Sequence, residues 1–246
     1  MAGELDIILI FCLIILAANI IQGITGFAGT LIAMPFLIML IDIETARQVL
    51  NLLGILGSLW ILSKDYRYIE WKQLKKILLI MPIGLIIGVI GFNHFPRDLL
   101  LFLLPLFVLF VGIKGFVKNF ISKKQSVKKQ SLFIDTFLLL MAGVIHGLFV
   151  AGGPLLVAYT TKHVKGKHEF RATLSVVWVI LNTIIFVQSL MTGMITTSMS
   201  RLMLLAMIPL LLGIAIGGIL IRQMSQKMFM LLAYFLLIFS GISMLL

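Results

Sequence analysis

Long apolar runs separated by short polar or basic loops make up almost the whole chain. Most runs continue for about 15 to 20 residues, close to the length of helix that crosses a hydrocarbon core of about 30 Å, and they do not alternate as barrel strands do. The pattern predicts ten apolar segments, at about Leu5–Ile24, Gly26–Ile41, Ala46–Ser63, Ile77–Phe92, Leu99–Val117, Leu132–Ala151, Gly153–Thr161, Ala172–Leu190, Leu202–Ile221 and Met228–Leu246. We expect an all-α polytopic membrane protein.

Glycines and a proline interrupt the apolar pattern at two places. The first is Gln22–Pro35, QGITGFAGTLIAMP, and the second is Gly143–Pro154, GVIHGLFVAGGP. Matched interruptions in the two halves of a membrane chain are typical of repeats whose broken helices form a binding site. Each half is therefore predicted to begin with a broken hairpin that three plain transmembrane helices follow.

A basic linker separates the two predicted repeats. We expect a first repeat at 1–117, a linker at 118–130 and a second repeat at 131–246. Aligned positions share their residue type in the order Gly29/Gly152, Arg47/Arg171, Pro82/Pro209, Gly84/Gly213, Gly88/Gly217 and Gly112/Gly241. Because five segments per half is an odd number, the second repeat should be inverted relative to the first.

Basic loops predict the orientation in the membrane. Lys64–Lys76 and the linker are rich in lysine, whereas the turn Thr192–Ser200 carries no charge. Positively charged loops face the cytoplasm, so both termini should be extracytoplasmic, in the cell membrane of a bacterium or archaeon. The N-terminus lacks the basic start of a secretory signal, so we expect the first helix to remain in the mature protein.

The second arm of each hairpin is short. Pro154–Thr161 would give about 12 Å of helix and Thr30–Ile41 about 18 Å, against a hydrocarbon core of about 30 Å. We expect both hairpins to be re-entrant, with their tips meeting near the midplane. Counting segments alone also allows a pair of fully crossing hairpins.

Composition excludes several classes of function. The chain is 61% hydrophobic and 12% charged, with a net charge of +11 whose bases lie in loops. We interpret these basic loops as the feature that orients the chain in the membrane, so nucleic acid is not an expected partner. Cys12 is the only cysteine. We expect His163 and His168 to lie in a cytoplasmic loop that is not a metal site. No cofactor is expected. The absence of GxSxG and HExxH motifs argues against an enzyme.

The breaks predict an anion site. Helices that start after Gly29 and Gly153 would present unpaired N–H groups and the positive ends of their dipoles. Nearby polar groups could add hydrogen bonds. The predicted substrate-binding residues are Gln22, Thr25, Gly26, Gly29, Thr30, Asn51, His146, Gly152, Gly153, Ser175 and Asn182. For the helix residues, including Thr173, bonding to their own backbone or to a neighbouring helix is an equally good interpretation.

Three further side chains have two interpretations each. His146 is the one group expected both to titrate near neutrality and to reach a break, because the acidic residues fall in loops or terminal turns. It is either a neutral packing residue or a proton carrier. Arg47 and Arg171 begin the third helix of each half, where they either snorkel to the interface or form an electrostatic mouth that attracts anions.

The glycine-rich turns GITGFAGTLIAMP and GLFVAGGPLLV, the two arginine helix starts and the two Pro/Gly/Gly patterns resemble the TauE/SafE family over essentially the whole chain. Thr25, Phe27 and Ala158 depart from the family's usual pattern. The resemblance implies a secondary transporter, an exporter or permease, for a small sulfur-containing anion such as sulfite or an organosulfonate. A channel-like anion uniporter is the rival reading, and a membrane scaffold is a weaker one.

Overall fold

The structure is a computed structural model that describes residues 2–91, 105–106, 109–110, 112–121, 132–150, 152–243 and 245. All regular structure in these ranges is helical, which confirms the all-α prediction. The ten α-helices with assigned bounds in these ranges are α1 Ala2–Thr25, α2 Gly29–Leu37, α3 Ile43–Asp65, α4 Trp71–Gly91, α5 Leu132–Phe149, α6 Gly153–His163, α7 Lys167–Met191, α8 Thr197–Leu205, α9 Met207–Gln223 and α10 Gln226–Ser243. The same ranges also contain a 3₁₀ helix at Tyr66–Tyr68 and a π-helix at Val117–Ile121.

Five helical stretches in the described ranges are long and apolar enough to cross a membrane: Leu5–Thr25, Ile43–Tyr68, Trp71–Gly91, Lys167–Met191 and Thr197–Gln223. The last stretch combines α8 and α9, which meet at Ala206. Pro209 lacks the N–H that would bond to the carbonyl of the residue four positions earlier, which explains a break at this point. About half of the predicted fifth segment, Leu99–Val117, and most of the linker 118–130 lie outside the described residues.

The two short hairpin arms are confirmed as too short to cross as straight helices. α2 has nine residues and α6 has eleven, about 14 and 16 Å. The expected loop around His163 and His168 was wrong, because α6 continues to His163 and α7 begins at Lys167. The re-entrant placement of the hairpins stays a prediction.

The chain divides into two compact units. Unit 1 comprises Met1–Leu74 and Lys167–Met224, and unit 2 comprises Lys75–Gly166 and Ser225–Leu246. Unit 1 contains the hairpin α1–α2 together with α3, α7, α8 and α9, and its core includes Phe11, Ile15, Leu37, Leu53 and Ile214. Unit 2 contains the hairpin α5–α6 and α10.

In unit 1, α3 and α7 run antiparallel along a seam of polar contacts. Gln48 Nε2 donates to Ser189 Oγ at 2.9 Å, and Asn51 Nδ2 donates to the carbonyl of Asn182 at 3.1 Å. At the other end of the seam, Arg171 Nη1 lies 3.2 Å from Asp65 Oδ2. Residue numbers rise along α3 as they fall along α7, which fixes the antiparallel direction.

Each unit also contains a helix crossing in which glycines touch the opposite backbone. In unit 1 the crossing joins α1 to α9, and in unit 2 it joins α4 to α5. A methyl group added at any of four glycines would collide with a facing carbonyl oxygen: Gly213 with Leu16, Gly217 with Ile20, Gly84 with Leu140, and Gly88 with Val144. In both crossings the glycines therefore pack against the first helix of a hairpin, and the repeat itself stays a prediction.

Candidate functional site

The first break is a tight turn between α1 and α2. The N–H of Gly26 donates to the carbonyl of Gln22 at 2.7 Å, and Gly26 has a φ of +77°. L-residues rarely adopt this left-handed conformation, which is the usual end of a helix at glycine. A methyl group added at Gly26 would lie 3.1 Å from the carbonyl oxygen of Arg171, so the turn packs directly against α7.

Side chains from α1 bind the N–H groups that precede and open α2. Thr25 Oγ1 accepts from the N–H of Ala28 at 3.2 Å and itself donates to the carbonyl of Ile21 at 2.8 Å. Gln22 Oε1 accepts from the N–H of Gly29 at 2.9 Å. Thr25 therefore stabilises the turn, while Gln22 caps a helix to which it does not belong.

A small cavity lies beside this helix start, within unit 1. Its walls are Asn19, Gln22, Gly29 and Thr30 from the hairpin and Leu50, Leu53 and Gly54 from α3. The space admits the centre of about one water-sized sphere. None of the lining residues carries a formal charge, and three of them are polar.

The polar groups of the cavity retain unused hydrogen-bonding capacity. Asn19 Nδ2 donates to the carbonyl of Ile15 at 2.8 Å, and Gln22 uses its oxygen for Gly29. Within the described ranges, the amide nitrogen of Gln22 and the hydroxyl and N–H of Thr30 have no hydrogen-bond partner. Unused hydrogen-bond donors of Gln22 and Thr30 therefore line the cavity.

Two asparagines lie next to the cavity wall formed by Gly54. A methyl group added at Gly54 would lie 2.7 Å from Asn182 Nδ2. Asn51 is fully buried, and its bond to the carbonyl of Asn182 joins α3 to α7. The oxygen Oδ1 of Asn51 has no partner among the described residues. Asn51 thus makes a hydrogen bond to a neighbouring helix, which was one of the two interpretations of this residue. This bond lies close to the cavity.

Ser175 and Thr173 form hydrogen bonds with backbone groups of the protein. Ser175 Oγ donates to the carbonyl of Arg171 at 2.9 Å, one turn earlier in the same helix. Thr173 Oγ1 accepts from the N–H of Glu70 at 3.0 Å. Neither residue lines the cavity.

The second break, in unit 2, repeats the turn of the first. The N–H of Val150 donates to the carbonyl of His146 at 2.8 Å, and Val150 has a φ of +56° where the first break has glycine. A β-branched residue in this conformation is a strained outlier. Gly152 packs against His146, because an added methyl would lie 2.8 Å from His146 Cβ. α6 then begins at Gly153, with proline in its first turn.

His146 and Gln22 occupy equivalent positions, each four residues before the residue with positive φ. His146 is buried, at 2% exposure, and Gln22 at 5%. Since Gly152, Gly153 and His146 belong to unit 2 and the cavity belongs to unit 1, a site shared by both breaks stays a prediction.

Of the two arginines, Arg171 is buried and forms an ion pair. Arg171 is 4% exposed, and its partner Asp65 also lies 3.8 Å from His168 Nδ1. A guanidinium bound in this way is held inside the helix seam, and its predicted role in attracting anions remains unverified. Arg47 is half-buried in the first turns of α3.

Sequence reasoning missed two features. The first is Asn19, which lies three residues before Gln22 and therefore on the same face of α1. The second is a cluster in unit 2, where Asp135 Oδ2 lies 3.0 Å from His163 Nε2 and 3.8 Å from Lys76 Nζ. His163 also stacks on Tyr159, with ring centroids 4.2 Å apart. The cluster ties the start of α5 to the end of α6, across the open end of the hairpin.

Comparison with known proteins identifies the family of this chain. The model of the family described as "Sulfite exporter TauE/SafE" matches residues 11–244. The "Probable inner membrane transporter protein TsaS" of Comamonas testosteroni is 24% identical over 180 residues, which are 73% of this chain and 74% of that protein. No solved structure matches the chain. The family match spans both hairpins and both glycine crossings.

Proposed function

Because the chain belongs to the TauE/SafE family of membrane transporters, we propose that it is a secondary transporter that exports a small sulfur-containing oxyanion, either sulfite or an organosulfonate. The observation that carries this proposal is the cavity at the first break. The start of α2 and the amide of Gln22 from α1 both line this cavity. None of its lining residues carries a carboxylate.

The chemistry of the cavity suits an anion. The N-terminus of a helix carries a partial positive charge and unpaired N–H groups, which bind oxyanions without a cationic side chain. The N–H and the hydroxyl of Thr30 and the amide nitrogen of Gln22 supply the donors. Several oxygens on one sulfur atom give a ligand enough acceptors to use them together.

The size of the cavity supports alternating access as the mechanism. A space for about one water-sized sphere is too small for a four-atom oxyanion. Entry of the substrate therefore requires the wall formed by α2 to separate from α3. In this mechanism the structure corresponds to a closed state of unit 1, and opening toward either side of the membrane admits or releases the anion.

The electric field favours export. With both termini outside, as the basic loops predict, an anion that leaves a negative-inside cell gains about 2.3 kcal/mol per charge per 100 mV. Outward transport can therefore run without a coupled ion. None of the cavity-lining residues is titratable, and this observation also favours the second candidate function, a channel-like anion uniporter.

Flux measurements in proteoliposomes test the proposal. The full chain is reconstituted, and sulfite, sulfoacetate, sulfate and chloride are offered separately under a clamped potential. We expect saturable flux of sulfite or sulfoacetate that exceeds flux of chloride. Flux that rises with voltage without saturating would select the uniporter. Absence of flux for all four anions in correctly inserted protein would refute transport.

A pair of glycine variants links the flux to the cavity. Gly29→Ala places a methyl 2.8 Å from Gln22 Cβ, whereas the nearest atom to a methyl at Gly218 is Arg171 Nη2 at 3.7 Å. Both glycines lie on helices of unit 1. Flux should fall in Gly29→Ala and persist in Gly218→Ala, and equal flux in the two variants would remove the cavity from the mechanism.

A further inference from the structure

Gln22 occupies the position at the start of α2 that an anion would take. Its Oε1 accepts the N–H of Gly29 at 2.9 Å, and the residue is 5% exposed and lines the cavity. Because the partner atom is an N–H donor, the atom that faces it must be the amide oxygen and not the nitrogen. The contact also depends on glycine at position 29, since a side chain there would meet Gln22 Cβ at 2.8 Å.

The residue that normally caps a helix start is absent here. The N-cap of α2 is Ala28, which has no side-chain acceptor. Serine, threonine, aspartate or asparagine at this position would bind the first N–H groups from within the same turn and would stay there. Gln22 instead reaches across from α1, so the cap can be withdrawn by rotating one side chain without unwinding α2.

The amide nitrogen of Gln22 points to a ligand independently of the helix start. Nε2 carries two N–H donors on a residue that is more than nine-tenths buried, and within the described ranges neither has an acceptor. Two unused N–H donors on a residue that lines a cavity are available to a ligand with oxygen acceptors. The hydroxyl of Thr30, which also lines the cavity, lacks a partner as well.

We propose that Gln22 is an exchangeable cap that selects oxyanions. One oxygen of the ligand replaces Oε1 at the N–H of Gly29, and the amide then rotates so that Nε2 donates to a second oxygen of the same ligand. A sulfite or sulfonate group offers a separate oxygen to each donor, whereas a halide offers one acceptor atom that both donors must share. The inference rests on the proposed function, because it assigns a role within the same cavity.

Anion-dependent thermal stabilisation of the purified full-length protein separates binding from transport. The probes are sulfite, methanesulfonate and chloride at pH 8, and the readout is the increase in melting temperature with ligand concentration, which yields an apparent Kd. For the unmodified protein we expect stabilisation by the two oxyanions at lower concentrations than by chloride. Stabilisation by oxyanions without any flux would refute transport and leave the exchangeable cap standing.

Two nearly isosteric variants test the exchange. In Gln22→Glu a carboxylate stays on the N–H of Gly29 and brings a negative charge into the cavity, so oxyanion stabilisation should disappear at pH 8. It should partly return at pH 5 with methanesulfonate as the probe, because protonation restores a neutral group able to donate. Gln22→Met fills the same volume without hydrogen-bonding groups and should raise the apparent Kd for methanesulfonate about tenfold, while the value for chloride changes less.

Gln48→Glu is the matched control. Gln48 is also a buried glutamine of unit 1, at 4% exposure, but it bonds to Ser189 and does not line the cavity. Oxyanion stabilisation should survive in this variant. If Gln22→Glu and Gln48→Glu lose oxyanion stabilisation equally, the proposal is overturned. Unchanged oxyanion affinity in Gln22→Met would also overturn it. Equal stabilisation by chloride and by the oxyanions in the unmodified protein would overturn it too.

Discussion

The substitution Gly26→Ala isolates the contact between the first break and α7. Two costs add in this variant. The first is the left-handed backbone at φ +77°, which disfavours any residue with a Cβ by about 1–2 kcal/mol. The second is crowding, because the methyl would lie 3.1 Å from the carbonyl oxygen of Arg171 and 3.2 Å from its Cα and Cγ.

Crowding of this kind typically costs about 1–3 kcal/mol, since backbone on both sides of the contact must move. The total expected loss in the free energy of unfolding is therefore about 2–5 kcal/mol. Gly193→Ala provides the control. Gly193 has a φ of +68°, and a methyl there would meet nothing within 4 Å. Its expected loss is the backbone cost alone, about 1–2 kcal/mol.

Unfolding in mixed micelles, followed by tryptophan fluorescence over a denaturant series, measures both losses. The difference between the two variants reports the crowding against Arg171 directly. Equal losses would mean that the turn moves away from α7 without penalty. In that case the close packing of the break would contribute nothing to stability, and the argument from the contact distances would fail.

Asp65→Asn should destabilise unit 1 by about 3–5 kcal/mol, because it leaves the buried charge of Arg171 uncompensated, and combining Asp65→Leu with Arg171→Met should recover most of the loss in the same unfolding assay. Hydrogen bonds from Thr45, first from its side chain and then from its backbone N–H, lower the pKa of the Asp42 carboxyl. Because Asp42 caps α3 through the N–H of Thr45, Asp42→Ala should cost about 1 kcal/mol at pH 7. This difference should shrink as the pH falls below about 4, where the carboxylate protonates, and an equal cost at pH 7 and pH 3 would contradict it. A reporter fused after Leu246 should be inactive if its activity requires the cytoplasm, and an active one would overturn the predicted topology.

The sequence predicted where helices run better than where they begin. Hydropathy placed the start of the third segment at Ala46, but α3 begins at Ile43 because Asp42 caps it through Thr45. Capping depends on single polar side chains that lower the mean hydropathy, so a search for apolar runs discards them. The same limitation explains the extension of α6 to His163.

The site was predictable where its chemistry is local. Gln22, Gly29 and Thr30 lie close together in the sequence around the first break, so the interruption of the apolar pattern by glycines and proline was enough to make them candidates. Asp135 and His163 are far apart in the chain, and each by itself looked like an ordinary terminal residue. Only the folding of α5 against α6 brings them within 3.0 Å.

In the proposed transport cycle, the glycine crossing between α1 and α9 limits which helices of unit 1 can move relative to each other. At Gly213 and Gly217 the two helices meet backbone to backbone, with no layer of side chains between them that could change rotamers. We therefore expect α1 and α9 to move together, without a change in their relative position. α2 contacts this pair of helices through a short turn, through side-chain bonds from Thr25 and Gln22, and through the buried side chains of Ala33 and Leu37. Side-chain contacts can break and re-form singly, so in the proposed transport cycle we expect α2 to move while α1 and α9 stay together.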